Sequence, residues 1–164
     1  MKIGCPKEIK RHEYRVGLVP SSVRELTDRG HKVLIQSGAG LGINFSDEDY
    51  KEVGAEIADT AEEVFAYSDM IVKVKEPQPS EYGLLREGQI LFTYLHLAAD
   101  KKQAEGLMDS GSVAIAYETV TDKDGRLPLL APMSEIAGRL SIQVAANLLQ
   151  KHCGGTGRLI GGVP

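Results

Sequence analysis

The chain has 164 residues, of which 42% are hydrophobic and 26% charged, and its formal net charge is -4. That length fits one domain, or one domain plus a linker, and it can bury a core without disulfide or metal staples. The mild negative charge argues against a nucleic-acid binder, which would carry a basic face, and no run approaches the roughly 20 apolar residues that cross a bilayer.

The start of the chain has no apolar core of a signal peptide, so the expectation is a soluble cytoplasmic protein. Residues 2–5 form the first of five short runs rich in Val and Ile. Residues 21–29 have Val23 and Leu26 at helical spacing and stop at Gly30, a C-terminal cap signal. The second run, 32–36, leads into Gly38-Ala39-Gly40-Leu41-Gly42. Ser46 with Asp47, Glu48 and Asp49 reads as a helix start, and Thr60-Ala61-Glu62-Glu63 as a near capping box. The runs 70–75 and 89–95 are apolar at nearly every position, which is the pattern of strands buried on both faces of a parallel sheet. Residues 100–109 form a helix that ends at Gly111, and the fifth run is 113–118. Alternation of strand and helix predicts a doubly wound, mostly parallel α/β sheet with helices on both faces.

Residues 121–126 are polar and turn-rich. Pro132 then opens a long helix, where its missing N–H is harmless. Met133, Ile136, Ala137, Leu140, Val144 and Leu148 line one apolar stripe at helical spacing, and the helix ends near His152. This gives an α/β domain over 1–130, then a bridging helix and glycine-rich lead-in over 131–164. Cys5 and Cys153 lie near opposite ends and read as reduced thiols.

In open parallel sheets, ligands gather at the carboxyl ends of the strands. Three runs end in Lys75, His96 and Glu118, and the first leads towards Arg15. Arg and Lys together clamp a carboxylate, and His can act as general acid or base near neutrality. The set suits a small keto acid or amino acid. Singly, each has a plainer reading: Arg15 as a solvated charge, Lys75 paired with an adjacent acid, His96 as a core histidine between Leu95 and Leu97. Residues 38–42, with Asp59 beyond, imitate a dinucleotide fingerprint, but the third glycine comes one residue early and three acids open the next helix. Gly154-Gly155-Thr156-Gly157 follows a helix, which is the wrong context. The scattered histidines give no metal-ligand spacing.

Gly4-Cys5-Pro6-Lys7-Glu8-Ile9-Lys10 with Glu13-Tyr14-Arg15-Val16-Gly17-Leu18-Val19-Pro20 resembles the amino-terminal signature shared by alanine dehydrogenases and the nicotinamide-nucleotide transhydrogenase alpha subunit. Val72-Lys73-Val74-Lys75-Glu76-Pro77, Leu91-Phe92-Thr93-Tyr94-Leu95-His96-Leu97-Ala98 and Leu130-Ala131-Pro132-Met133-Ser134-Glu135 favour the alanine dehydrogenase branch. The resemblance implies a Rossmann-like substrate domain for NAD-dependent oxidative deamination of L-alanine to pyruvate and ammonia. It implies Arg15 and Lys75 as holders of the substrate carboxylate or carbonyl, and His96 as the acid/base. Tyr94, Leu130 and Met133 would be pocket wall, Glu118 a supporting partner and Ser134 a cofactor-side contact. It further implies a homohexamer, and that the main NAD-binding domain lies outside this chain, leaving the isolated chain inactive. The alternatives are the NAD-binding subunit of a transhydrogenase and a non-catalytic small-carboxylate module.

Overall fold

Short runs of Val, Ile and Leu build a six-stranded sheet in the computed structural model, which describes residues 1–161. The strands are β1 (Lys2–Cys5), β2 (Lys32–Gln36), β3 (Glu56–Ala58), β4 (Met70–Val72), β5 (Ile90–Thr93) and β6 (Val113–Ala116). All neighbours pair parallel, in the order β3-β2-β1-β4-β5-β6. That is the strand order of a Rossmann-like doubly wound sheet. Five strands coincide with the five apolar runs. The sixth, β3, is three residues long with Ile57 as its large apolar residue, too little for periodicity to register.

Alternation along β2 shows how the sheet is buried on both sides. Val33 and Ile35 join a core with Ile3, Cys5, Val23 and Tyr50. Leu34 joins the opposite core with Val64, Phe65, Ile71, Leu91 and Leu107. Helices supply the cover: α1 (Pro20–Asp28), α2 (Asp47–Lys51), α3 (Ala61–Tyr67) and α4 (Lys101–Ser110). Their ends follow local chemistry. Ser46 and Thr60 each close a capping box, Asp100 accepts the N–H groups of Lys102 and Gln103, and Gly111 ends α4 at φ 64°.

The chain divides into two compact units, Met1–Tyr117 and a second that starts at Glu118. The first holds the whole sheet, so the division follows the last strand and comes before the boundary expected at residue 130. The second holds a turn at 122–126, closed by Asp122 Oδ1 accepting the N–H groups of Asp124 and Arg126, and α5 (Ala131–Leu148). Pro132 lies in the first turn of α5, as expected. The apolar stripe of α5 is solvent-facing, with Ile136 65% and Leu140 51% exposed.

Candidate active site

The strand order reverses at β1, which has β2 on one side and β4 on the other. A crevice opens at such a switch point, outside the carboxyl ends of the strands. The strands here end earlier than the apolar runs of the sequence. The ladder of β4 stops at Val72 and that of β5 at Thr93. Lys75 and His96 therefore stand beyond the sheet, at its carboxyl edge.

Lys75 is held by its backbone. Its carbonyl accepts the Thr93 hydroxyl at 2.8 Å, and the Tyr94 N–H bonds the Val74 carbonyl at 3.3 Å. Tyr94 is buried and stacks on the His96 ring, with centroids 6.3 Å apart and planes 20° from parallel. Tyr117 meets Tyr94 edge-on at 4.9 Å and Phe92 at 4.3 Å. Burial pushes the Tyr117 hydroxyl far above the ordinary phenol range. His96 is exposed, and so is Leu97. The core-histidine reading of the Leu95-His96-Leu97 stretch is thus overturned, because the chain turns outward there. His96 adopts φ 50°, ψ 37° and opens a 3-10 turn over Leu97–Ala99. A non-glycine residue in that region is uncommon and costs conformational energy.

Arg15 reaches the same edge on the loop after β1. That loop crosses close to β4: a methyl group added at Gly17 would lie 2.6 Å from the Val72 carbonyl oxygen. Arg15 forks onto Glu13, with Nε to Oε1 at 2.8 Å and a terminal nitrogen to Oε2 at 2.7 Å. The Arg15 hydrogen bonds pull the Glu13 carboxyl below the usual range, and Lys75 adds to this. Tyr94 and Glu8 contribute to the field at Arg15, whose own shift upward comes first from Glu13. Arg15, Lys75, Tyr94 and His96 thus gather in one neighbourhood. A cleft of about 360 Å3 is lined by Arg15, Glu13, Glu8, Lys10 and His12 on one side and by Ala39, Leu41 and Gly42 of the glycine loop on the other, and Lys75, Tyr94 and His96 are not part of its lining.

Lys73, Glu81 and Lys10 were not legible as site residues in the sequence. Lys73 is completely buried and pairs with Glu81 at 2.7 Å and Glu8 at 3.6 Å. A lysine inside the apolar run 70–74 was the available signal. Burial raises the Glu8 carboxyl, while Lys73 and the Val74 and Lys75 amides oppose the rise. Lys10 closes an ion pair on Glu76.

The glycine loop bonds much of its own backbone. Asp47 Oδ1 accepts the Gly38 N–H at 2.8 Å and Asp47 Oδ2 accepts the Ser37 hydroxyl at 2.7 Å. The N–H groups of Ala39, Leu41 and Ile43 bond Gln36, Gly38 and Gly40 carbonyls. A carboxylate already occupies the place where a pyrophosphate would bind, so these glycines do not fit a dinucleotide. In the second unit, Glu118 lies in a 3-10 turn over Tyr117–Thr119. Leu130 caps α5 and its carbonyl accepts the Ser134 N–H at 3.1 Å, while Met133 is half-buried. Among the described residues no cluster of His, Cys, Asp or Glu could hold a metal ion, and no helix is long and apolar enough to cross a membrane.

The profile of the family described as "Alanine dehydrogenase/PNT, N-terminal domain" matches residues 4–137. The chain belongs to this family. The alanine dehydrogenase/PNT domain seen here is 56% identical, over all 164 residues, to alanine dehydrogenases of Mycobacterium tuberculosis (strain H37Rv) and Methanococcus maripaludis. It spans 44% of the length of each of these relatives. A solved L-alanine dehydrogenase superposes on the whole domain with TM-score 0.89 at 54% identity, over 45% of that structure. A transhydrogenase from Sinorhizobium meliloti superposes with TM-score 0.69 at 26% identity, over 75% of this domain and 35% of that structure.

Proposed function

We propose that this chain is the substrate-binding part of an NAD-dependent L-alanine dehydrogenase, which interconverts L-alanine with pyruvate and ammonia. The observation that carries the proposal is the gathering of a guanidinium, an ammonium and an imidazole at the switch-point edge of the sheet. The 56% identity to alanine dehydrogenases, against 26% to the transhydrogenase, favours this reading over hydride exchange between nucleotides.

Arg15 and Lys75 offset the negative charge of the substrate carboxylate and polarise the carbonyl. Arg15 would do so as a planar fork, Lys75 as a point charge. His96 accepts a proton as the carbinolamine collapses to pyruvate and returns it in the reverse direction. Tyr94 keeps the His96 ring in place and forms pocket wall. Ser134 contacts the cofactor side. NAD supplies the hydride acceptor when it is bound. Its main binding domain belongs to chain outside these residues, because the glycine loop here is filled by Asp47. The assembly we propose is a homo-oligomer, with six copies as the family implies, working in the cytoplasm.

The test is the complete protein supplied with L-alanine and NAD. NADH should form with wild type, and Lys75→Ala should remove pyruvate binding by calorimetry. Equal pyruvate binding by wild type and Lys75→Ala would reject the site.

A further inference from the structure

The carboxyl end of β4 has lost its strand neighbour. β1 pairs with β4 only through Ile3↔Met70 and Gly4↔Ile71. On the other side, β5 continues to hold the chain, through the Lys73 N–H on Phe92, the Val74 carbonyl on Tyr94 and the Lys75 carbonyl on Thr93. Among the described residues, no backbone carbonyl on the β1 side receives the N–H groups that follow. A side chain receives them instead: Glu8 Oε1 accepts the Val74 N–H at 2.7 Å and the Lys75 N–H at 3.3 Å.

Glu8 itself is not needed to neutralise Lys73. The Lys73 ammonium already has Glu81 at 2.7 Å, and Glu81 is anchored through its other oxygen by the Gln78 N–H at 2.7 Å. Glu8 adds a second carboxylate at 3.6 Å, with only 3% of its side chain exposed. Two buried carboxylates around one buried ammonium leave an excess negative charge, which is costly in a low-dielectric setting. The contact that offsets this cost is the pair of amides. Lys73 has the complementary task of orienting Glu8 through Oε2.

We propose that Glu8 is a positioning residue for Lys75, its carboxylate standing in for the absent β1 carbonyl and fixing main chain 74–75 at the crevice. The role of Lys75 rests on the function proposed above, whereas the bracing of its backbone does not. Lys73 and Glu81 form the buried base against which Glu8 is held.

The test compares Glu8→Ala and Glu8→Gln in the complete protein, reading amide hydrogen exchange at Val74 and Lys75 beside steady-state kinetics. Glu8→Ala should speed exchange at these two amides about tenfold, the worth of one lost hydrogen bond. It should lower kcat/KM for pyruvate on the order of 10²-fold, the usual effect of a small misplacement, and leave KM for NADH unchanged. Glu8→Gln keeps an oxygen acceptor and should return both readings towards wild type. Unchanged exchange at both amides in Glu8→Ala, or a Glu8→Gln protein as impaired as Glu8→Ala, overturns the inference. Should Glu8→Ala fail to fold, Glu8→Asp draws the carboxylate back by one methylene. Faster exchange at Val74 and Lys75 with a wild-type Tm then supports the inference, and unchanged exchange overturns it. A wild-type protein inactive on pyruvate would refute the alanine dehydrogenase reading alone, because the exchange measurement still decides what Glu8 does.

Discussion

His96 holds a left-handed backbone conformation, uncommon for any residue with a side chain although His, Asn and Asp enter it most readily, and His12 and Asn44 share it. Strain of this kind persists where the surroundings impose it, and it is concentrated at working sites. We expect His96→Ala in the complete protein to cut the rate on the order of 10²–10⁴-fold, the worth of a positioned acid/base. His96→Asn should lose as much activity while unfolding at the same or a higher temperature, since Asn tolerates the left-handed region. An unchanged rate in His96→Ala would remove the imidazole from the mechanism. Glu13 gives a second expectation, in pH. Its folded carboxyl sits below the ordinary range because Arg15 donates to it. In the window between the folded and unfolded values the unfolded chain binds more protons, so stability rises with pH. The advantage of wild type over Glu13→Gln should therefore be full above the ordinary glutamate pKa of about 4.3. It should fade as pH falls through the lower folded value, in urea titrations along a pH series.

At the scale of elements, the crossing of the 14–18 loop over β4 is a tight constraint on the site. Gly17→Ala would force a methyl group against the Val72 carbonyl, and backbone on both sides has little room to yield. Overpacking of this sort costs about 1–3 kcal/mol, to be read as a lower urea midpoint. Lys73→Ala should be worse, on the order of 3–5 kcal/mol, because it strands two buried carboxylates. The sheet itself was legible because buried parallel strands write continuous apolar runs, as in Ile71, Val72, Leu91 and Phe92. The sequence did not show where the ladders stop. Lys73 and Lys75 lie on the same side of an extended run, yet one is completely buried and the other stands at the crevice. That difference depends on Glu8 and Glu81, distant partners that no local pattern announces. β3 was missed for the opposite reason, being held by pairing with β2 rather than by its own composition.

For the whole molecule, the chain spans 44% of the length of the alanine dehydrogenases it resembles. Its glycine loop does not fit a dinucleotide. We expect the isolated 164-residue chain to produce no NADH from L-alanine and NAD, and measurable turnover by the pure chain would overturn that. The candidate edge was legible once Lys75 and His96 were placed after β4 and β5 and Arg15 on the loop after β1. Their roles depended on the likeness to a family, because an Arg, a Lys and a His at strand ends specify an anion but not which one.

Asp47 closes the glycine turn from within its own helix, and this bears on how such turns are recognised elsewhere. A pattern search that accepts any cluster of glycines after a strand, without their exact spacing, would file residues 38–42 beside true nucleotide loops. The deciding feature is whether an acid from the following helix is near enough to consume the turn's donors, as the 2.8 Å Gly38–Asp47 contact does. Removing that acid, by Asp47→Ala, would release the Gly38 N–H and the Ser37 hydroxyl, to be read as faster amide exchange at Gly38, while Glu48 and Asp49 would still keep anions away.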